Sequence, residues 1–300
     1  MYRHGILVCK VVLVHRKKHK MIINVIADSF IDSIKLLPFL FVTYLIMEYL
    51  EHKAGDKMQA AIRGAGKGGP VIGGILGIFP QCGFSAAASN LYAGRIITMG
   101  TLIAIFLSTS DEMLPILISE NVGVEMISKV LAVKVVVAVA VGFAIDCFAR
   151  RGKDMQIGHL CEQHHCHCEN GIWKSALHHT VEIFIYILLV SLALNLLIAW
   201  VGEDMLGSII LNRPVLGTMI AGLVGLIPNC AASVIITQLY LGGVLSAGAM
   251  IAGLLSGTGV GLLVLCRVND NRKENLKLIS LLYATGVVAG IIVEMLGITF

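Results

Sequence analysis

Apolar residues along this chain gather into eight blocks, at about 30–50, 70–92, 96–119, 127–148, 176–200, 214–240, 243–266 and 278–299. Blocks of roughly 20 residues are what an α-helix needs to cross the hydrocarbon core of a bilayer. The pattern predicts an all-α polytopic membrane protein. Trp173 and Trp200 bracket the fifth block, where aromatic side chains anchor a helix at both membrane interfaces.

The blocks also repeat. Gly-Ile-Leu-Gly-Ile-Phe-Pro-Gln-Cys-Gly-Phe-Ser, from Gly74 to Ser85, matches Gly-Leu-Val-Gly-Leu-Ile-Pro-Asn-Cys-Ala-Ala-Ser, from Gly222 to Ser233, at an offset of 148. Laid without a gap, 73–117 onto 221–265 gives 15 identities in 45 positions, and the same offset pairs Gly142 with Gly290 and Asp146 with Glu294. Such internal periodicity is the signature of repeat architecture. It predicts a first membrane repeat at 21–148 and a second at 176–300, joined by a linker at 149–175. Residues 1–20 carry six Lys and Arg and no helix-length apolar block, so they read as a non-native or disordered extension ahead of a start at Met21.

Composition agrees: 57% of residues are hydrophobic and 14% charged, against roughly 25% charged in a soluble domain. Nucleic-acid binding, secreted disulfide scaffolds and cytosolic enzymes drop away. Where the charge sits matters more than its sum. The loop at 51–69 carries Lys53, Lys57, Arg63 and Lys67, while its counterpart at 201–213 carries Glu203, Asp204 and one base, Arg213. The loop at 118–127 has Glu120 and Glu125 and no base, while its counterpart at 267–277 has Arg267, Arg272, Lys273 and Lys277. Equivalent loops of opposite bias face opposite sides under the positive-inside rule. The repeats are therefore expected to be inverted, each crossing an odd number of times. Five spans per half, or three spans plus a re-entrant hairpin broken at Pro80-Gln81-Cys82-Gly83, both satisfy this. Arg150, Arg151, Lys153 and Lys174 add to the basic side, which makes the linker cytoplasmic and puts both termini outside the cytoplasmic membrane.

Pro80-Gln81-Cys82 and Pro228-Asn229-Cys230 are the sharpest chemical features. Proline removes a donor and breaks the helix ladder. Broken backbone at membrane depth persists only inside protein or around a wet cavity. A thiol and a carboxamide beside each break give one soft and one hard ligand per half. Ser85 and Asn90 follow in the first half, Ser233 and Gln238 in the second. Ser108-Thr109-Ser110-Asp111-Glu112 lies inside an apolar block; its partner from Ser256 keeps hydroxyls and loses both acids. Intramembrane carboxylates are expensive and point to function, here a cation site or proton coupling.

The linker holds His159, Cys161, His164, His165, Cys166, His167 and Cys168 within ten positions. Thiolate and imidazole together suit zinc, cadmium, copper(I) and other soft ions. Their irregular spacing fits a flexible capture site better than a structural knot.

Phe79-Pro-Gln-Cys-Gly-Phe-Ser-Ala-Ala-Ala-Ser-Asn-Leu-Tyr-Ala93 resembles the signature of a family of ten-span heavy-metal exporters, often labelled arsenic efflux proteins or manganese transporters. Thr101–Glu112, Leu37–Glu48, the Cys/His linker and His179-Thr180 are similar to the same family, and the resemblance covers nearly all of 21–300. It implies ten spans and export of a metal or metalloid. The expectation is a secondary transporter, not an enzyme, with the metal as cargo or linker ligand and no required cofactor. The partners expected are the ion and the bilayer, with no nucleic acid. The alternatives are an organic-anion or small-solute carrier, and a membrane metal sensor built on the linker.

Overall fold

A computed structural model describes residues 68–78, 82–110, 113–149, 172–201 and 214–300, with scattered helical positions within 27–45. Among the described residues there is no strand. The helices are α1 (Gly69–Leu76), α2 (Cys82–Ala93), α3 (Met99–Ser108), α4 (Met113–Ser119), α5 (Val124–Ala149) and α6 (Ile172–Val201). There follow α7 (Pro214–Gly225), α8 (Cys230–Leu241), α9 (Ala247–Ser256), α10 (Gly261–Val268) and α11 (Arg272–Met295).

The 148-residue offset of the sequence reappears in the helix boundaries. Helices α2 to α5 begin at Cys82, Met99, Met113 and Val124; α8 to α11 begin at Cys230, Ala247, Gly261 and Arg272. Local chemistry repeats with them. Thr98 caps α3 by accepting from the Thr101 N–H, and Ser246 caps α9 by accepting from the Ala249 N–H. The Gly100 N–H donates to Asp146 at 2.9 Å and the Gly248 N–H to Glu294 at 3.1 Å. These acceptors satisfy helix-start donors that lipid cannot. A Cβ on Gly100 would collide with the Gly142 carbonyl, and one on Gly248 with the Gly290 carbonyl, so both helix pairs are as close as backbone allows. Helices α2 and α8 also end alike, with the chain turning through left-handed φ at Arg95 (60°) and Gly243 (70°).

Among the described residues, four stretches are long and apolar enough to cross a membrane: Met99–Ser119, Val124–Phe148, Ala247–Val268 and Arg272–Met295. Two of them are broken. Helix α3 stops at Ser108, where the Ser108 and Thr109 hydroxyls donate back to the Ile105 carbonyl, a local bond that competes with the helix ladder. Helix α9 stops at Gly257, followed by Gly259 at φ 53°. The apolar block at 70–92 is likewise two helices, of 8 and 12 residues, with the Pro80 region between them. Among the described residues, the uniform blocks thus become a mixture of long helices and half-length pieces.

The broken pairs α3–α4 and α9–α10 form the centre. Leu102, Ile103, Phe106 and Leu107 of one, and Met250, Ile251, Leu254 and Leu255 of the other, belong to a single core. Helices α5 and α11 lie outside them and expose Val136, Phe148, Leu276 and Met295. Exposed apolar surface on helices of this length is surface for lipid tails. The two halves interlock: α2 packs on α10 and α8 on α4, with the Ser89 hydroxyl donating to the Gly261 carbonyl at 2.7 Å. Helix α1 runs alongside α3 in the same direction, Gly69 against Thr101 and Gly77 against Ser108.

Candidate functional site

Where the breaks of the two central pairs meet, the protein leaves a small, partly open recess with room for about one water molecule. Its wall takes Thr109 and Ser110 from the first break, Gly257 and Gly259 from the second, Asn229 and Ser233 from α8, and Lys134 from α5. Asn229 caps α8, its side chain accepting from the Ala231 N–H at 3.2 Å. The first turn of α8, with its positive dipole end, therefore borders the recess.

Lys134 is a feature that sequence reasoning missed. It is 1% exposed, in the middle of a membrane-length helix. Its ammonium donates to the Thr109 carbonyl at the end of α3 and to the Leu254 carbonyl in the last turn of α9, the latter at 3.0 Å. One side chain thus ties the ends of two half-helices from opposite halves. The signal was present: a lysine within Ala-Val-Lys-Val-Val-Val, inside the 127–148 block, is an intramembrane charge.

Of the residues singled out in sequence, Asn229 and Ser233 line the recess. Ser108 is buried but spends its hydroxyl on the Ala104 and Ile105 carbonyls. Asn90 is buried, accepts from the Tyr44 hydroxyl at 3.0 Å, and keeps an amide nitrogen without a partner among the described residues. Ser85 is buried against Gly261, and Ser256 is buried with its hydroxyl unpartnered among the described residues. Gln238 is exposed on α8 and outside the lining. Cys82 and Cys230 begin α2 and α8, at the two break points; their side chains, and all of Gln81, Asp111 and Glu112, lie outside the described residues. So do His159, Cys161, His164, His165, Cys166, His167 and Cys168. Among the described residues no three His, Cys, Asp or Glu side chains gather as a metal site, and Cys147 and Cys266 are free thiols.

A second cluster sits at one end of the molecule. Arg95 donates to both carboxylate oxygens of Glu274, at 3.0 and 3.1 Å, and the Tyr92 hydroxyl donates to Glu274 as well. These bonds hold the Arg95 guanidinium above its ordinary pKa. They fix the end of α2 to the start of α11.

Buried breaks, an intramembrane lysine and lipid-facing long helices describe a multi-pass membrane protein, and the comparison with known families agrees. Residues 17–208 match a family described as "Putative, 10TM heavy-metal exporter". The chain belongs to that family. No curated protein and no solved structure matches it.

Proposed function

We propose that this protein is a secondary transporter that exports a thiophilic heavy metal or metalloid across the cytoplasmic membrane by alternating access. The observation that carries the reading is the recess between two helix breaks contributed by opposite halves. Transporters of inverted-repeat design bind cargo there, where half-helix ends supply polar groups at the midplane. Cys82, Gln81, Cys230 and Asn229 would supply the ligands, and Asp111 and Glu112 charge or proton coupling.

Two courses of the chain support inverted topology. Arg95, at the end of α2, meets Glu274 in the first turn of α11. Tyr240, at the equivalent end of α8, bonds the main chain of Phe300, beyond the last turn of α11. Helix α11 has 24 residues, and at 1.5 Å per residue it spans about 36 Å, a membrane's thickness. Inverted topology accounts for this by putting equivalent helix ends on opposite faces. A re-entrant α1–α2 hairpin has similar support: α1 runs inward beside α3, and α2 comes back to Arg95, next to the start of α3. The last turn of α5, with Asp146 against Gly100, lies at that same end, so the chain enters the basic linker from it.

Flux into proteoliposomes, screened over arsenite, manganese, zinc and cadmium, tests the reading. The Cys82→Ala, Cys230→Ala double variant should fold and lose at least about tenfold in apparent affinity for a soft ion, about 1.4 kcal/mol. Normal flux in that variant rules out thiol ligation. Replacing Cys161, Cys166 and Cys168 by Ser should weaken ion capture and leave residual transport; unchanged zinc and cadmium binding would end the capture role of the linker. Cysteine probes at Glu203 or Val122 should label from outside intact cells, and probes at Lys67, Lys153 or Lys273 should not. One observation favours an organic-anion carrier instead: an ammonium and the first turn of α8 both border the recess. Flux of a carboxylate in place of metal would establish that reading.

A further inference from the structure

The ends of α3 and α9 create an electrostatic problem that one side chain solves. The last main-chain rung of α3 is the Thr109 N–H to the Ile105 carbonyl, and that of α9 is the Gly257 N–H to the Gly253 carbonyl. The carbonyls of Thr109 and Leu254 lie past those rungs, among the acceptors that a helix end leaves unsatisfied. Each carries the partial negative charge of a helix C-terminus. Here the two ends, one from each half, point at a single spot in the buried centre. Converging half-helix C-termini and unwound carbonyls are what inverted-repeat carriers use to bind a small cation. In this protein the Lys134 ammonium occupies that spot, donating to both carbonyls. Its position is not dictated by the repeat, because the equivalent residue in the second half is Leu282, which is fully buried.

We propose that Lys134 is a built-in cation: its ammonium fills a monovalent-cation site formed by the α3 and α9 ends, so that the native protein takes no free Na⁺ or K⁺ there. The site is latent. Shortening the side chain exposes it, and it then accepts a small monovalent cation or an alkylammonium of the missing length. The packing explains why a lysine serves. Helix α5 lies against α3 along its length, and four methylenes carry a charge from it to the joint while the stem is packed away from water. A fixed cation of this kind also holds the two breaks together, because each helix end would otherwise repel the other across a low-dielectric gap.

The readout is binding, so the inference stands or falls independently of which cargo moves and of whether cargo moves at all. The full-length protein is purified in detergent, and its thermal midpoint is followed as NaCl, KCl or propylammonium chloride replaces N-methylglucamine chloride at constant ionic strength. The native protein should not distinguish these salts. Lys134→Ala should melt lower in N-methylglucamine and regain several degrees as Na⁺, K⁺ or propylammonium rises to about 100 times its dissociation constant. Lys134→Met, which fills the space without charge, should melt lower and show no cation response. If Lys134→Ala is recovered only unfolded, Lys134→Ser is the second host for the same titration. A small-side-chain variant indifferent to all three cations would overturn the proposal, and so would a native protein that Na⁺ or K⁺ itself stabilises.

Discussion

The break between α3 and α4 and the break between α9 and α10 hold equivalent places and share a scaffold, yet differ in chemistry. Both central helices start on a hydroxyl cap, at Thr98 and Ser246, and both take a carboxylate from the last turns of the neighbouring long helix, at Asp146 and Glu294. Both lie against that helix at a glycine pair. At the breaks themselves the first half has Thr109-Ser110-Asp111-Glu112, with Lys134 opposite; the second has Gly257-Thr258-Gly259-Val260, with Leu282. The scaffold is symmetric because both halves must solve the same backbone problem in lipid. Charge is costly at membrane depth, so a second buried lysine in place of Leu282 would need acceptors of its own.

That contrast can be broken most sharply by making the halves alike. Leu282→Lys places an ammonium where the second half provides only packing, and it should cost about 3–5 kcal/mol, the penalty of a buried unpaired charge. Loss of the monodisperse peak in detergent chromatography is the expected result, and a well-folded variant would mean that the second half has a matching acceptor site. The scaffold should respond evenly. Gly100→Ala and Gly248→Ala each force a methyl into a backbone contact, and each should lose about 1–3 kcal/mol by thermal unfolding. A large loss in one with none in the other would end the equivalence.

The capping carboxylates sharpen the comparison further. Asp146 accepts from the Gly100 N–H at 2.9 Å and the Thr98 hydroxyl at 2.7 Å, so Asp146→Asn should cost about 1 kcal/mol. Glu294 accepts from Gly248 at a longer 3.1 Å, and Glu294→Gln should cost less in the same assay. The smallest effect is expected where the halves turn through left-handed φ. Gly243→Arg should cost about 1 kcal/mol, the penalty for a side chain in that conformation. Arg95→Gly relieves the same strain but removes the Glu274 ion pair, which is partly buried and worth about 1 kcal/mol. The two terms offset, and a midpoint within error of the native protein is expected.

Much of the fold is legible in the residues themselves. The repeat and its offset come from Pro80/Pro228, Cys82/Cys230 and Leu91-Tyr92/Leu239-Tyr240, and helix starts reproduce that offset because the same caps and glycines recur with it. The interruptions at Pro80 and Pro228 are readable because proline cannot sit in a helix interior. The second pair of breaks is not readable as such. Ser108-Thr109-Ser110 suggests chemistry, but hydroxyls at a helix end and hydroxyls inside a helix look the same in a sequence. Gln238 shows the limit of symmetry arguments: it stands two turns from Asn229 on the same helix and still faces away from the recess.

Sequence alone determined that the chain lives in a bilayer, that it is two copies of one design, and where its backbone must break at proline. Those properties follow from local facts, namely apolar length, repeated residues and the missing proline donor. Tertiary structure decided which broken ends meet. Helix α2 packs across onto α10 and α8 onto α4, while α9 lies directly on α3 and α5, and this packing brings Thr109 and Leu254, 145 residues apart in the chain, to the same ammonium. Helices that are apolar on every side carry no periodic mark of the face they bury. The partner of each helix, and the role of Lys134 with it, comes from close packing in three dimensions.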